Sequence, residues 1–284
     1  MRLLTFVVVA TIAASLSMVP AFSVPDQANQ KAKEMTTVSI PQNAKEIGPG
    51  VYDLGVQIHN GKLVQGTLFV FSDKQFAKPD GTPGKGNKGG GDGEETSTCF
   101  SYITKGAKWR TEEPWNVSTT NAPASIVNNV IPILVGAVNE WEDPDQDGED
   151  LHSIIAPRDS NIVVDATSFG TMNDQNEVAF GDITNDGVIA VTWVWRTISG
   201  PPQARYIAEW DQLYDVVSFA WSLNGASGTM DFDNIATHEL GHSVGMGHPD
   251  STCTLETMYA YADYTETIKR DLYTGDIAGV NGLY

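Results

Sequence analysis

"HELGHSVGMGH", residues 238–248, places three of the chain's five histidines at spacings of four and six residues. On a helix, residues four apart differ by about 40° of rotation, so His238 and His242 project from one face with rings close enough to share an ion. Gly245 can take a positive φ without steric cost, which ends the helix and turns the chain so that His248 reaches the same ion. Glu239 follows the first ligand directly, so its carboxylate can meet a water on the metal without replacing a ligand. Three neutral imidazoles suit Zn²⁺ and leave a fourth position for water, the composition of a catalytic rather than a structural site. The chemistry expected is metal-assisted peptide hydrolysis: zinc acidifies its water and polarises a carbonyl, while Glu239 accepts the proton and hands it to the leaving amine. The alternative is an ordinary helix that happens to carry histidines, and the complete HExxHxxGxxH spacing argues against it.

At 284 residues and 41% hydrophobic composition, the chain can build one sizeable core plus a smaller appendage. Residues 1–23, MRLLTFVVVATIAASLSMVPAFS, carry one basic residue (Arg2), an apolar run from Leu3 to about Ala14, and a small-x-small end at Ala21 and Ser23. That is the layout of a secretory signal peptide. The run is shorter than the roughly 20 residues of a membrane-spanning helix, so a secreted, extracellular chain without membrane insertion is expected after cleavage. The formal charge of 17 − 36 = −19 makes nucleic acid and anionic membrane surfaces poor partners. It also fits a demand for divalent cations. In "DPDQDGED", residues 143–150, Asp143, Asp145 and Asp147 alternate ahead of Gly148, the first half of an oxygen cage for Ca²⁺. Position twelve counted from Asp143 is Ile154, which excludes a full EF-hand; a solvated acidic turn is the competing reading. Asn116-Val117-Ser118 is a glycosylation sequon.

From Val24 to about Glu34 the chain is polar. In "GPGVYDLGVQIHNGKLVQGTLFVF", residues 48–71, Asn60-Gly61 between two runs rich in Val, Leu and Phe predicts a β-hairpin. Residues 78–95, "KPDGTPGKGNKGGGDGEE", have nothing apolar to bury and read as a flexible linker. The expected organisation is therefore a signal peptide (1–23), an N-terminal β-rich region of unknown role (24–77), a linker (78–96) and a larger domain (97–284). Within the last, an apolar face recurring at three and four from about Ala122 to Trp141 predicts a long helix, with Pro132 inside it as a potential break. "SYITKGAKW", "PWNVST", "NIVVDA", "VAFGDI", "GVIAVTWVW" and "YIAEWDQLYDVVSFAW" predict strands, the last with a possible helical middle. A helix with Asp233 as N-cap runs to Gly245, and "TGDIAGVNGLY" closes the chain as a helix.

The 238–248 motif resembles the zinc signature of the metzincin metalloproteases, and "ETMYAY", residues 256–261, resembles their Met-turn, which places Met258 under the metal. Within that clan, "FDNIATHELGHSVGMGH" is similar to the active-site helix of the matrixins, "GVIAVTWVW" to their substrate-binding edge strand and "TGDIAGVNGLY" to the end of their C-terminal helix. The resemblance implies an α+β catalytic domain with a twisted, mixed five-stranded sheet, a backing helix, an active-site helix and a C-terminal helix. It implies a monomeric zinc endopeptidase acting on proteins or peptides, with one catalytic zinc and substrate extended along Ile189, Ala190, Val191 and Thr192. The chain departs from the family at Pro249, which stands where matrixins usually carry Ser, and it lacks both the PRCGxPD prodomain motif and the histidines of a second, structural zinc. Ala260 replaces the tyrosine ligand of serralysins and astacins.

Cys99 and Cys253 admit two roles. Cys99 could hold the open zinc position as a latency switch, although "TSTCFSYIT" lacks the Arg, Gly and Asp that surround the matrixin switch. Alternatively, two cysteines in an oxidising compartment pair as a disulfide. Two functions rival peptidase: a non-catalytic zinc-dependent binding protein, against which Glu239 argues, and a calcium-dependent adhesion or matrix protein.

Overall fold

The computed structural model describes residues 35–76, 98–146, 155–156 and 169–284. The signal peptide, the linker 78–96, Asp147, His152 and "NIVVDA" lie outside the described residues.

Among the described residues, eight strands define the main sheet: β1 (Lys45–Gly48), β2 (Val51–His59), β3 (Lys62–Asp73), β4 (Glu113–Val117), β5 (Ile155–Ala156), β6 (Asn176–Ile183), β7 (Val188–Thr197) and β8 (Ile207–Asp215). Their spatial order is β1-β2-β3-β7-β8-β6-β4-β5, with Thr37–Val38 added beside β6 and Tyr261–Ala262 beside β3. The five strands from β4 to β8 form the expected twisted mixed sheet, in which β7 alone runs antiparallel to its neighbour β8. The expectation of five strands needs correction, because the N-terminal hairpin continues the same sheet. Asn60 and Gly61 both take positive φ, 47° and 73°, the left-handed pair that a two-residue I′ turn requires. β3 then pairs antiparallel with β7 from Val64↔Thr197 to Ser72↔Val188. β7, expected as an edge, therefore lies inside the sheet and every residue of it is buried.

Alternation along β3 and β7 explains the two cores on either side. Phe69, Phe71, Ala190 and Val194 face the helices, whereas Val64, Leu68, Val70, Val191, Trp193 and Trp195 form a second cluster on the outer face. On the helical side lie α1 (Val130–Glu142) and α2 (Phe232–Val244), and α3 (Thr274–Leu283) follows near the C-terminus. Pro132 falls in the first turn of α1, where its missing N–H has no ladder bond to break. The indole of Trp141 on α1 donates to the Thr237 carbonyl at 2.8 Å, tying the backing helix to the active-site helix. α2 begins two residues earlier than the sequence suggested: the N-cap is Asp231, whose carboxylate accepts from Asn234 N and is held bidentately by Arg270. The predicted helical middle of residues 206–221 is absent, because β8 needs those residues as a buried central strand.

Cys99 and Cys253 are disulfide-bonded, with Cα atoms 5.6 Å apart across a sequence separation of 154 residues. The bond joins the chain just before the strand Ser101–Tyr102 to the loop between His248 and Met258. Closing so long a loop stabilises by about 5 kcal/mol on the chain-entropy model, an upper figure. Replacing both cysteines by alanine is expected to lower the unfolding midpoint substantially without adding a metal ligand, as thermal unfolding with parallel metal analysis would show.

Three buried carboxylates, Glu177, Glu209 and Asp211, lie on the adjacent strands β6 and β8. Burial pushes the Glu209 carboxyl up to about 7, against the backbone N–H groups of Asn173 and Asp174 that it accepts. Unfolded, Glu209 ionises in the ordinary glutamate range, near pH 4. Between that range and about 7, the folded chain keeps a proton that the unfolded chain has released, so this contribution to stability falls as pH rises and is flat above. Urea unfolding from about pH 5 to about pH 8 should show a shallower decline with pH in Glu209→Gln than in the parent.

Candidate active site

His238 and His242 stand one turn apart on α2, and Gly245 ends the helix at φ 111° with its N–H bonded back to His242 O. The chain then runs as Met246–Gly247, antiparallel to Ser101–Tyr102, and delivers His248. The three histidines form the one group among the described residues able to hold a metal, their ligand atoms all within 4.8 Å of one another. The Nε2 atoms of His238 and His248 are 3.3 Å apart, close to the spacing that two nitrogens at about 2.0–2.1 Å from a tetrahedral zinc adopt.

Each imidazole is aimed from its other side. His238 Nδ1 meets Thr257 O at 2.6 Å, His242 Nδ1 meets Met246 O at 2.9 Å and His248 Nδ1 meets Pro49 O at 2.9 Å. A carbonyl accepts only from a protonated Nδ1, so all three Nε2 lone pairs are directed at one point. Burial holds the imidazoles in the neutral form: His238 and His242 lie well below the ordinary histidine range and His248 is lowered to about 4. Nε2 of His242 and Oε1 of Glu239 are buried with no hydrogen-bond partner among the described residues. Orphaned acceptors at a point faced by three neutral imidazoles fit a zinc ion and its water.

Glu239 is fully buried on α2, and its Oε2 accepts from the Thr192 hydroxyl on β7. Burial pushes its carboxyl up to about 8, with the Thr192 bond opposing the rise. Beneath the site, Met258 is fully buried against Gly241, where an added Cβ would sit 2.2 Å from Met258 Sδ and 2.5 Å from Trp141 Cζ2. Asp276 on α3 accepts from the backbone N–H groups of Thr257 and Met258 at 2.6 and 3.2 Å, and so positions the carbonyl that aims His238.

A family model described as Matrixin matches residues 103–284, the part of the chain that contains all of these groups except Pro49. The chain belongs to the matrixin family. As a matrixin it is a zinc metalloendopeptidase, with a three-histidine cluster able to hold the metal. No curated protein matches the chain.

Several groups that shape this matrixin's site carry no motif. The aiming carbonyls belong to backbone, which sequence patterns cannot mark, and Asp276 reads as an ordinary N-terminal helix acid. Phe69 and Phe71 were visible only as hairpin apolars. They stack on His242 and His238, with ring centroids 4.0 and 3.6 Å apart. Of the residues proposed for calcium, Asp143 is the C-cap of α1 and Asp145 accepts from Asn281 at 2.9 Å, while Asp147 is outside the described residues. His59 is distant in role, paired with Asp174 at 2.8 Å.

Gly241→Ala tests the packing under the metal. A methyl group forced into Met258 and Trp141 is expected to destabilise by about 1–3 kcal/mol, the usual range for overpacking. Zinc affinity should fall with it, which competition with a fluorescent chelator would measure.

Proposed function

We propose that this matrixin is a secreted endopeptidase that holds one zinc through His238, His242 and His248 and uses Glu239 as its general base. The observation that carries the reading is the pairing of an unpartnered Glu239 Oε1 with an unpartnered His242 Nε2 in a fully buried pocket, beside two further aimed imidazoles. Zinc, when bound, supplies Lewis acidity and an acidified water. Glu239 takes a proton and returns it to the departing amine, and the Thr192 hydroxyl keeps the carboxylate turned toward the pocket. A peptide extended along Ile189–Thr192 would add main-chain hydrogen bonds to β7. Secretion rests on the signal-peptide pattern, and a calcium requirement rests on the spacing of Asp143, Asp145 and Asp147 alone. Chains acting outside a cell on protein or peptide substrates, without nucleic-acid partners and as monomers, are consistent with the strong negative charge.

The test is hydrolysis of a quenched peptide by zinc-loaded protein treated by limited proteolysis to open the cleft, with and without a chelator. Glu239→Ala is expected to keep one zinc per chain while losing about 10²–10⁴ in turnover, the scale of a general base. His242→Ala is expected to lose the zinc itself. Near-parental turnover in zinc-loaded Glu239→Ala would overturn the assignment.

A further inference from the structure

The cleft above the histidines has two main-chain walls, β7 on one side and Tyr261–Ala262 on the other. β3 fills the space between them: it pairs antiparallel with β7 and, at Ser72 and Asp73, parallel with Tyr261 and Ala262. Its inward side chains Phe69 and Phe71 are buried on the rings of His242 and His238. The third ligand, His248, is bonded to Pro49 O from the turn before β2. Gly50 makes that approach possible: it has φ +64°, and a Cβ there would come within 2.4 Å of Val70 O and 3.4 Å of His248 Cε1. The N-terminal segment thus touches every ligand.

The walls and the histidine floor all come from residues 103–284, which match the family, whereas what covers them among the described residues comes from residues 35–76, which do not. An extended peptide needs the open edge of β7 for its main-chain bonds, and that edge is taken from Val188 to Thr197. We propose that residues 35–76 are a tethered inhibitor, with the strand 62–73 seated in the place of a bound peptide. This inference rests on the peptidase reading above. It differs from a thiolate switch, since Cys99 is committed to Cys253.

The covalent connection through residues 77–97 makes occupancy intramolecular. A short tether gives an effective concentration of about millimolar, so a hairpin of about micromolar affinity would keep the cleft closed roughly 10³ times more often than open. Once the connection is cut and the protein diluted below that affinity, the hairpin leaves and the cleft opens. Occupancy of the strand position also identifies the favoured ligand: an extended peptide with two bulky aromatic side chains two positions apart, one for each histidine ring.

The experiment uses the full chain with a recognition sequence for a specific protease inserted among residues 78–96. Zinc-loaded protein is titrated, uncut and cut, with a fluorescent peptide hydroxamate, and hydrolysis of a quenched peptide is followed in parallel. The expected result is probe binding at least about 100-fold weaker in the uncut form, restoration of that weakness by adding a synthetic peptide of residues 45–73 to the cut form, and tighter probe binding by uncut Phe69→Ser/Phe71→Ser. Equal probe affinity in cut and uncut chains, with both hydrolysing peptide, would overturn the inhibitor and leave the peptidase reading standing. Loss of folded structure by circular dichroism when the hairpin departs would also overturn it, showing the strands to be part of the permanent core. Probe binding that appears on cutting without any hydrolysis would support the occupancy and sink the peptidase reading.

Discussion

Three hydrogen bonds from imidazole nitrogens to backbone carbonyls fix what this site can be. With the proton committed to Nδ1, each ring offers Nε2 as a lone pair at neutral charge, and burial reinforces that state by disfavouring imidazolium. The three carbonyls come from separate parts of the chain. Thr257 is positioned by Asp276 at the start of α3, Met246 by the helix stop at Gly245 and its pairing with Tyr102, and Pro49 by the turn before the N-terminal hairpin. Distant elements of the fold therefore converge on one set of lone pairs, and the long-range disulfide secures the chain ahead of Tyr102 to the loop that leads to Met258.

The same burial acts oppositely on the acid and the bases. It drives the histidines toward neutrality by destabilising a cation, and it drives Glu239 toward protonation by destabilising an anion. Without a cation at the centre, the pocket is a low-dielectric space with acceptors facing inward, an arrangement that costs stability. Metal binding relieves that cost, so loading and folding are coupled. Aromatic stacking of Phe69 and Phe71 on two of the rings contributes in the same region, since it removes the imidazole faces from water while leaving the Nε2 edges free.

What the sequence made legible follows the range of the interactions involved. The helix carrying HELGH, its glycine stop and the I′ turn at Asn60-Gly61 are local, set by side-chain spacing or by φ preferences, and they read correctly from residues alone. Boundaries that depend on tertiary partners read less well: Asp231 rather than Asp233 caps α2 because Arg270, from far along the chain, holds the earlier carboxylate in place. The position of β7 was illegible for the same reason. Its pattern of apolar residues is continuous enough to be buried on both faces, which fits a central strand as well as a covered edge strand. Nothing local in Val64–Ser72 states that its partner is β7, a pairing more than a hundred residues away in sequence. The cysteine pair was legible from the even cysteine count and the signal-peptide pattern, because a disulfide needs no local pattern.

The hairpin's position also decides how the sheet ends. Strands that terminate a sheet expose rows of unpaired N–H and C=O groups and can recruit the same strand from another molecule. Without residues 35–76, the terminus on this side would be the ten-residue β7, long and rich in valine and tryptophan. With them, the sheet closes instead on the four-residue β1, which carries Lys45 and Glu46 exposed. A short, charged end of this kind makes a poor template for a neighbour. The N-terminal segment therefore also sets colloidal behaviour: while it stays in place, molecules crowded together have no adhesive β7 border through which to join into aggregates.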